Sequence, residues 1–218
     1  MNVIIAIGAL GGSGTRVVAE LLCKSGIYIG NVLNGASDNL LFTRLFKNPL
    51  WYEEANKDEV FDRLALFEKL MLNKNLNLKE SIHFINACRN NPTFYSNSEE
   101  NYKILISNYI QKKRSDYIWA WKEPNSQFYL EHLSEYFKNF KYIHVIRHGL
   151  DMAYSKNIQQ VINWGYKFDI SFSPNEDGKI INSKQLDFWI KSNDVAVNFG
   201  KRNLGERFYL LNHSKLIE

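Results

Sequence analysis

The chain has 218 residues, of which 45% are hydrophobic and 23% charged, a balance that excludes general disorder and fits one substantial domain rather than two. Lys and Arg together number 27 against 23 for Asp and Glu, and the net charge of +4 is too small for a nucleic-acid coat while leaving room for a local anion site. Cys23 and Cys88 form no CxxC pair, which excludes a disulfide framework and a zinc knuckle, and both are expected to be buried.

In chain order, the residues 2–7 are apolar and β-branched without alternation, as in a strand covered on both faces of a parallel sheet. The apolar run Val3–Leu10 lacks a basic flank, is broken by Gly8 and is too short to span a bilayer, so it reads as a strand and not as a signal peptide. A soluble, reducing, cytoplasmic setting is therefore expected. The loop Gly8-Ala9-Leu10-Gly11-Gly12-Ser13-Gly14 follows, and Thr15–Lys24 reads as a helix with Val17, Val18, Leu21 and Leu22 at helical spacing and Gly26 as its stop.

Between about 49 and 114 the pattern turns helical and is expected to form a cap inserted beside the sheet, within a single domain over 1–218. Val60, Leu64, Phe67 and Met71 share one helix face, and Ser96-Asn97-Ser98-Glu99 has capping-box spacing ahead of Tyr102, Leu105, Ile106 and Tyr109. Further strands are expected at Tyr117–Trp121, at Lys141–Ile146 and from Glu206 to Leu211. Helices are expected from about Ser126 to Phe137 and from Asp151, the latter with Asp151 as its N-cap. Strands alternating with helices predict a three-layer α/β fold, P-loop-like, with a mostly parallel central sheet.

Three segments carry chemistry. In Gly11-Gly12-Ser13-Gly14-Thr15-Arg16 the small residues let backbone N–H groups converge at a helix N-terminus, where anions are favoured, with a hydroxyl at Thr15 and a cation at Arg16. The absence of Lys after Gly14 excludes a Walker A loop and argues against a nucleotide or metabolite kinase, and Ile27-Tyr28-Ile29-Gly30-Asn31 lacks the acidic residue of a dinucleotide site. Arg147 follows the third predicted strand and Ser155 lies eight residues on, a spacing at which both can grip one phosphate. Trp121-Lys122-Glu123-Pro124 closes the second predicted strand.

Ser13-Gly14-Thr15, Lys122-Glu123-Pro124 and Val145-Ile146-Arg147…Ser155 together resemble the sulfotransferases that use 3′-phosphoadenosine 5′-phosphosulfate (PAPS) as donor. The similarity spans roughly 2–30 and 117–165, with an echo at Arg207–Leu216. Many members carry Arg or Lys where this chain has Gly12. The resemblance implies transfer of a sulfuryl group to a hydroxyl or amine of a small-molecule or carbohydrate acceptor, without a metal, without nucleic acid and without a membrane span. It assigns Gly11, Gly12, Ser13, Gly14, Thr15 and Arg16 to the 5′-phosphosulfate, Arg147 and Ser155 to the 3′-phosphate, and Lys122 to the transferring sulfuryl group.

In related sulfotransferases the base is often a Glu or His in the segment after the first helix; between Asn31 and Asn39 only Asp38 is ionisable, so the resemblance makes it the leading candidate for the base that takes the acceptor's proton, with Glu123 the second. His144 reads as a core histidine. The aromatic residues Trp51, Tyr52, Trp119, Trp121, Trp164, Tyr166 and Trp189 fit a core better than an acceptor pocket. A catalytically inactive nucleotide-binding relative is the alternative from a different class.

Overall fold

The computed structural model describes residues 3–91, 118–173 and 176–216. Four strands, β1 (Val3–Ala9), β2 (Ile118–Lys122), β3 (Phe140–Ile146) and β4 (Phe208–Asn212), form one sheet in the order β2-β1-β3-β4, with every pairing parallel. The fold is α/β.

Neighbouring side chains of β1 point to opposite faces, and both faces are covered, which is why the strand sequence shows no polar alternation. Ile4 and Ala6 join Trp119, Trp121, Phe140 and Tyr142 on the thick face. Ile7 and Ala9 join Ala120 and Val145 on the thin one, against Val18 and Ala19 of α1 (Thr15–Lys24).

The thick face carries most of the helices. Here α2 (Leu40–Phe46), α4 (Lys57–Met71) and α5 (Leu78–Arg89) bring up Phe42, Phe46, Phe67 and Phe84, all fully buried, and α3 (Pro49–Glu54) lays the half-buried Trp51 against Phe46. Phe42 stacks on Trp121 at 5.6 Å and Phe67 meets the same ring edge-on at 5.1 Å. The described part of the expected cap thus packs directly on the sheet. The capping boxes that start its two longer helices are Asn56 with Glu59 and Asn77 with Glu80. The capping-box segment at Ser96–Glu99 and the helix expected after it lie outside the described residues.

Some boundaries differ from expectation. The stretch after β2 opens with a 3-10 turn, Pro124–Tyr129, before α6 (Leu130–Tyr136), because the Glu123 carboxylate accepts from the Asn125 backbone N–H at 2.7 Å and tightens the first turn. The helix after β3, α7 (Gly149–Ala153), starts at His148 rather than at Asp151, whose carboxylate is engaged by Arg147 Nε at 3.1 Å. It ends before Ser155, which stands in the bend ahead of α8 (Gln159–Trp164). The longest of the described helices, α9 (Gly178–Phe199), packs on α7. Cys88 is buried, but Cys23 is exposed on α1, contrary to expectation. No described helix is long and apolar enough to cross a membrane.

Candidate functional site

In open parallel sheets ligands bind beyond the carboxyl ends of the strands, where successive connections leave a central strand in opposite directions. The order β2-β1-β3-β4 puts that point between β1 and β3. The glycine turn follows β1 there and Arg147 follows β3.

Gly12 and Gly14 have φ of 96° and 87°, a region that costs an L side chain about 1–2 kcal/mol. Gly14 is the N-cap of α1 and offers no side-chain cap, so the first amides of that helix are left to other partners. It is also pressed from outside: a Cβ at Gly14 would lie 1.9 Å from Cδ2 of His213, which follows β4. Ser13 and Thr15 are buried, and the Ser13 hydroxyl points at Met152 Sδ 4.0 Å away, while Arg16 is exposed.

Arg147 Nη1 donates to the Gly12 carbonyl at 3.2 Å, so the two segments picked out in the sequence meet across the β1/β3 crevice. Ser155 turns elsewhere, its Oγ accepting from Asn157 N–H at 3.2 Å. Beside Arg147, towards β4, lies a trough of about 450 Å³ lined by His148, Leu186, Trp189, Asn212 and Ser214 among others. The Trp189 indole N–H donates to the Arg147 carbonyl at 3.2 Å and so fixes the trough wall.

On the other side of β1 a polar cleft of about 180 Å³ runs along the glycine turn. It brings together Gly11 and Gly12 with Asp38, Lys47, Lys122 and Glu123. Lys122 sits at the end of β2, opposite Ile7 in register, and its ammonium is ion-paired with Asp38 and donates to the Ala36 carbonyl at 3.1 Å. Asp38 is held in a tight loop. The Asn34 side chain accepts from the Ala36 and Asp38 amides at 2.9 Å each and donates to Asp38 Oδ2 at 2.8 Å. Asp38 is not a helix cap; the neighbouring Asn39 caps α2 by accepting from Phe42 N–H at 3.0 Å.

Glu123 is buried with neutral donors only. Asn125 N–H reaches one carboxylate oxygen at 2.7 Å and Asn125 Nδ2 the other at 2.8 Å. Burial, reinforced by the Asp38 charge, pushes its pKa up to about 7.

Sequence reasoning did not pick out Lys47, Asn125 and Gln160. Gln160, on α8, accepts from Gly11 N–H at 2.5 Å and donates to Asn125 Oδ1 at 3.1 Å and to the Ala9 carbonyl at 3.4 Å. No short motif marks these residues; only the fold joins the end of α2, the turn after β2 and the start of α8.

His144 is fully buried, with Nε2 2.8 Å from Asn193 Oδ1, and burial lowers its pKa to about 4. Of the aromatic residues, Trp119, Trp121 and Trp164 are fully buried, whereas Tyr166 lines a groove of about 490 Å³ with Leu50 and Ile162. Among the described residues no cluster of three His, Cys, Asp or Glu is placed to hold a metal ion.

No family model matches the chain, and no curated protein does. Among solved structures, sulfotransferase STF1 from Mycobacterium tuberculosis H37Rv aligns over the whole chain at 11% identity with a TM-score of 0.39. The chain spans 64% of that protein's length.

Proposed function

We propose that the chain is a sulfotransferase that takes its sulfuryl group from PAPS. The observation that carries this reading is the contact between Arg147 and the glycine turn at the point where the strand order reverses. A cation fixed there faces the same crevice as the uncapped amides of α1, an arrangement suited to a ligand carrying two separated anionic groups.

In this reading the 5′-phosphosulfate lies on the 11–16 turn and the 3′-phosphate on Arg147, with Ser155 reaching it after rotating away from Asn157. The adenosine occupies the trough beside Trp189. The sulfuryl group then faces the polar cleft, where the acceptor hydroxyl or amine enters.

The acceptor oxygen or nitrogen forms the new bond to sulfur as the bridging S–O bond breaks, and the electron pair of that bond leaves with adenosine 3′,5′-bisphosphate. Asp38 accepts the acceptor's proton. Once neutral, Asp38 holds the Lys122 ammonium less tightly, and Lys122 stabilises the charge growing on the bridging oxygen. The one domain expected over 1–218 would hold both substrates, with the helices after residue 49 shaping the acceptor side.

The test is ligand-dependent thermal stability. Adenosine 3′,5′-bisphosphate should raise the melting temperature well beyond any effect of ATP or NAD, because neither of those carries a 3′-phosphate for Arg147. Equal behaviour of the three nucleotides would remove the basis of the assignment, and transfer of labelled sulfate from PAPS would exclude an inactive relative.

A further inference from the structure

The glycine turn and the buried carboxylate of the cleft are joined by an unbroken run of hydrogen bonds. Gly11 N–H donates to Gln160 Oε1 at 2.5 Å, Gln160 Nε2 donates to Asn125 Oδ1 at 3.1 Å, and Asn125 Nδ2 donates to Glu123 Oε1 at 2.8 Å. All three bonds point the same way, so each amide dipole polarises the next towards the carboxylate, and such chains are cooperative. The same residues line one cleft.

We propose that this run makes anion binding at the glycine turn proton-linked, with Glu123 as the group that gains the proton and with Asn125 and Gln160 as positioning residues. The inference rests on the reading of the turn as a phosphosulfate site. An anion that takes Gly11 N–H displaces Gln160 Oε1. Gln160 then no longer orients Asn125, and Asn125 donates less effectively to the Glu123 carboxylate. The incoming negative charge acts in the same direction.

The other groups around Glu123 define its balance. Asp38, in the loop before α2, disfavours the ionised form, and Lys47, at the end of α2, favours it. Lys122 is committed to Asp38, and Tyr129 and Tyr142 are buried phenols well above their usual range. With its pKa at about 7, Glu123 is part-protonated near neutrality, where a modest further rise moves the most protons. A rise of about one unit on binding draws in about half a proton per site near pH 7.5, where affinity should fall about threefold per pH unit.

The experiment is calorimetric titration of the whole protein with adenosine 3′,5′-bisphosphate in buffers of different ionisation enthalpy. Because the ligand's own phosphates titrate, the signal is the difference between the wild type and Glu123→Gln. Wild type should take up about half a proton more than Glu123→Gln, which should still bind. Gln160→Ala, which leaves Glu123 in place, should bind at least as tightly as the wild type and lose most of the uptake. Equal proton exchange in wild type and either variant would overturn the linkage while leaving the functional reading intact. Absence of bisphosphate binding to every form would take down the reading, and the linkage with it.

Discussion

Arg147→Ala separates binding from folding more cleanly than any other change at the site. The Arg147 side chain is 38% exposed and its partner Asp151 is 51% exposed, so the i,i+4 ion pair contributes about 0.3–0.5 kcal/mol. With the single bond to the Gly12 carbonyl, the total lost from the empty protein is about 1 kcal/mol, or a fall of roughly 2–4 °C in melting temperature. A phosphate held by the guanidinium loses charge-assisted bonds of about 1.5–3 kcal/mol each. One such bond already weakens adenosine 3′,5′-bisphosphate by about 10- to 150-fold. Arg147→Lys keeps the charge but not the planar fork and should fall between. Calorimetric titration gives the affinities and a ligand-free melt gives the stability. Affinity within twofold of the wild type in Arg147→Ala would refute the reasoning and move the phosphate elsewhere.

Three other outcomes follow from the packing. Gly14→Ala should destabilise the protein through both its φ of 87° and the His213 ring; adding His213→Ala should recover the steric part and leave about 1–2 kcal/mol, read from urea midpoints. Trp121→Ala should cost about 3–5 kcal/mol by the same measurement, since the indole is fully buried among Phe42, Phe67 and Phe140 and its N–H bonds Ser126. For Glu123 the folded pKa of about 7 lies above the ordinary value, so its stabilising effect is complete below about pH 4.5 and is lost as pH rises through 7. His144, lowered to about 4, acts oppositely: its contribution is present above 6.5 and is lost as pH falls towards 4. The two shifts are of similar size, about 3 kcal/mol each, so the wild type should show a shallow pH profile between them. Glu123→Gln should be more stable at about pH 8 and should decline visibly on the acid side; an unchanged profile would mean that the carboxyl is not strained by burial.

Much of this architecture is legible in the chain. The first strand, the glycine turn and helix Thr15–Lys24 follow from unbroken β-branched residues, then small residues, then helical spacing. They are legible because each depends on neighbours in sequence. The junction of Arg147 with Gly12 is legible only as a residue type at a strand end; its partner is 135 positions away. Asp151 misleads because an Asp near a helix start serves equally as a cap or as an ion-pair partner, and here Arg147 one turn earlier takes it. Lys47 and Gln160 are illegible for a different reason. Lys and Gln are ordinary surface residues, and nothing local distinguishes them until the sheet order brings three connections to one cleft.

The placement of the indoles has a practical consequence. The chain has five tryptophans; Trp119, Trp121 and Trp164 are sealed from water, Trp51 is half-buried, and Trp189 lines the trough that Arg147 also borders. Emission from the sealed trio shifts to the red only when the core opens. If nucleotide enters the trough as proposed, it would quench Trp189 and not the sealed trio, so spectral position would report unfolding and intensity occupancy in one unlabelled sample.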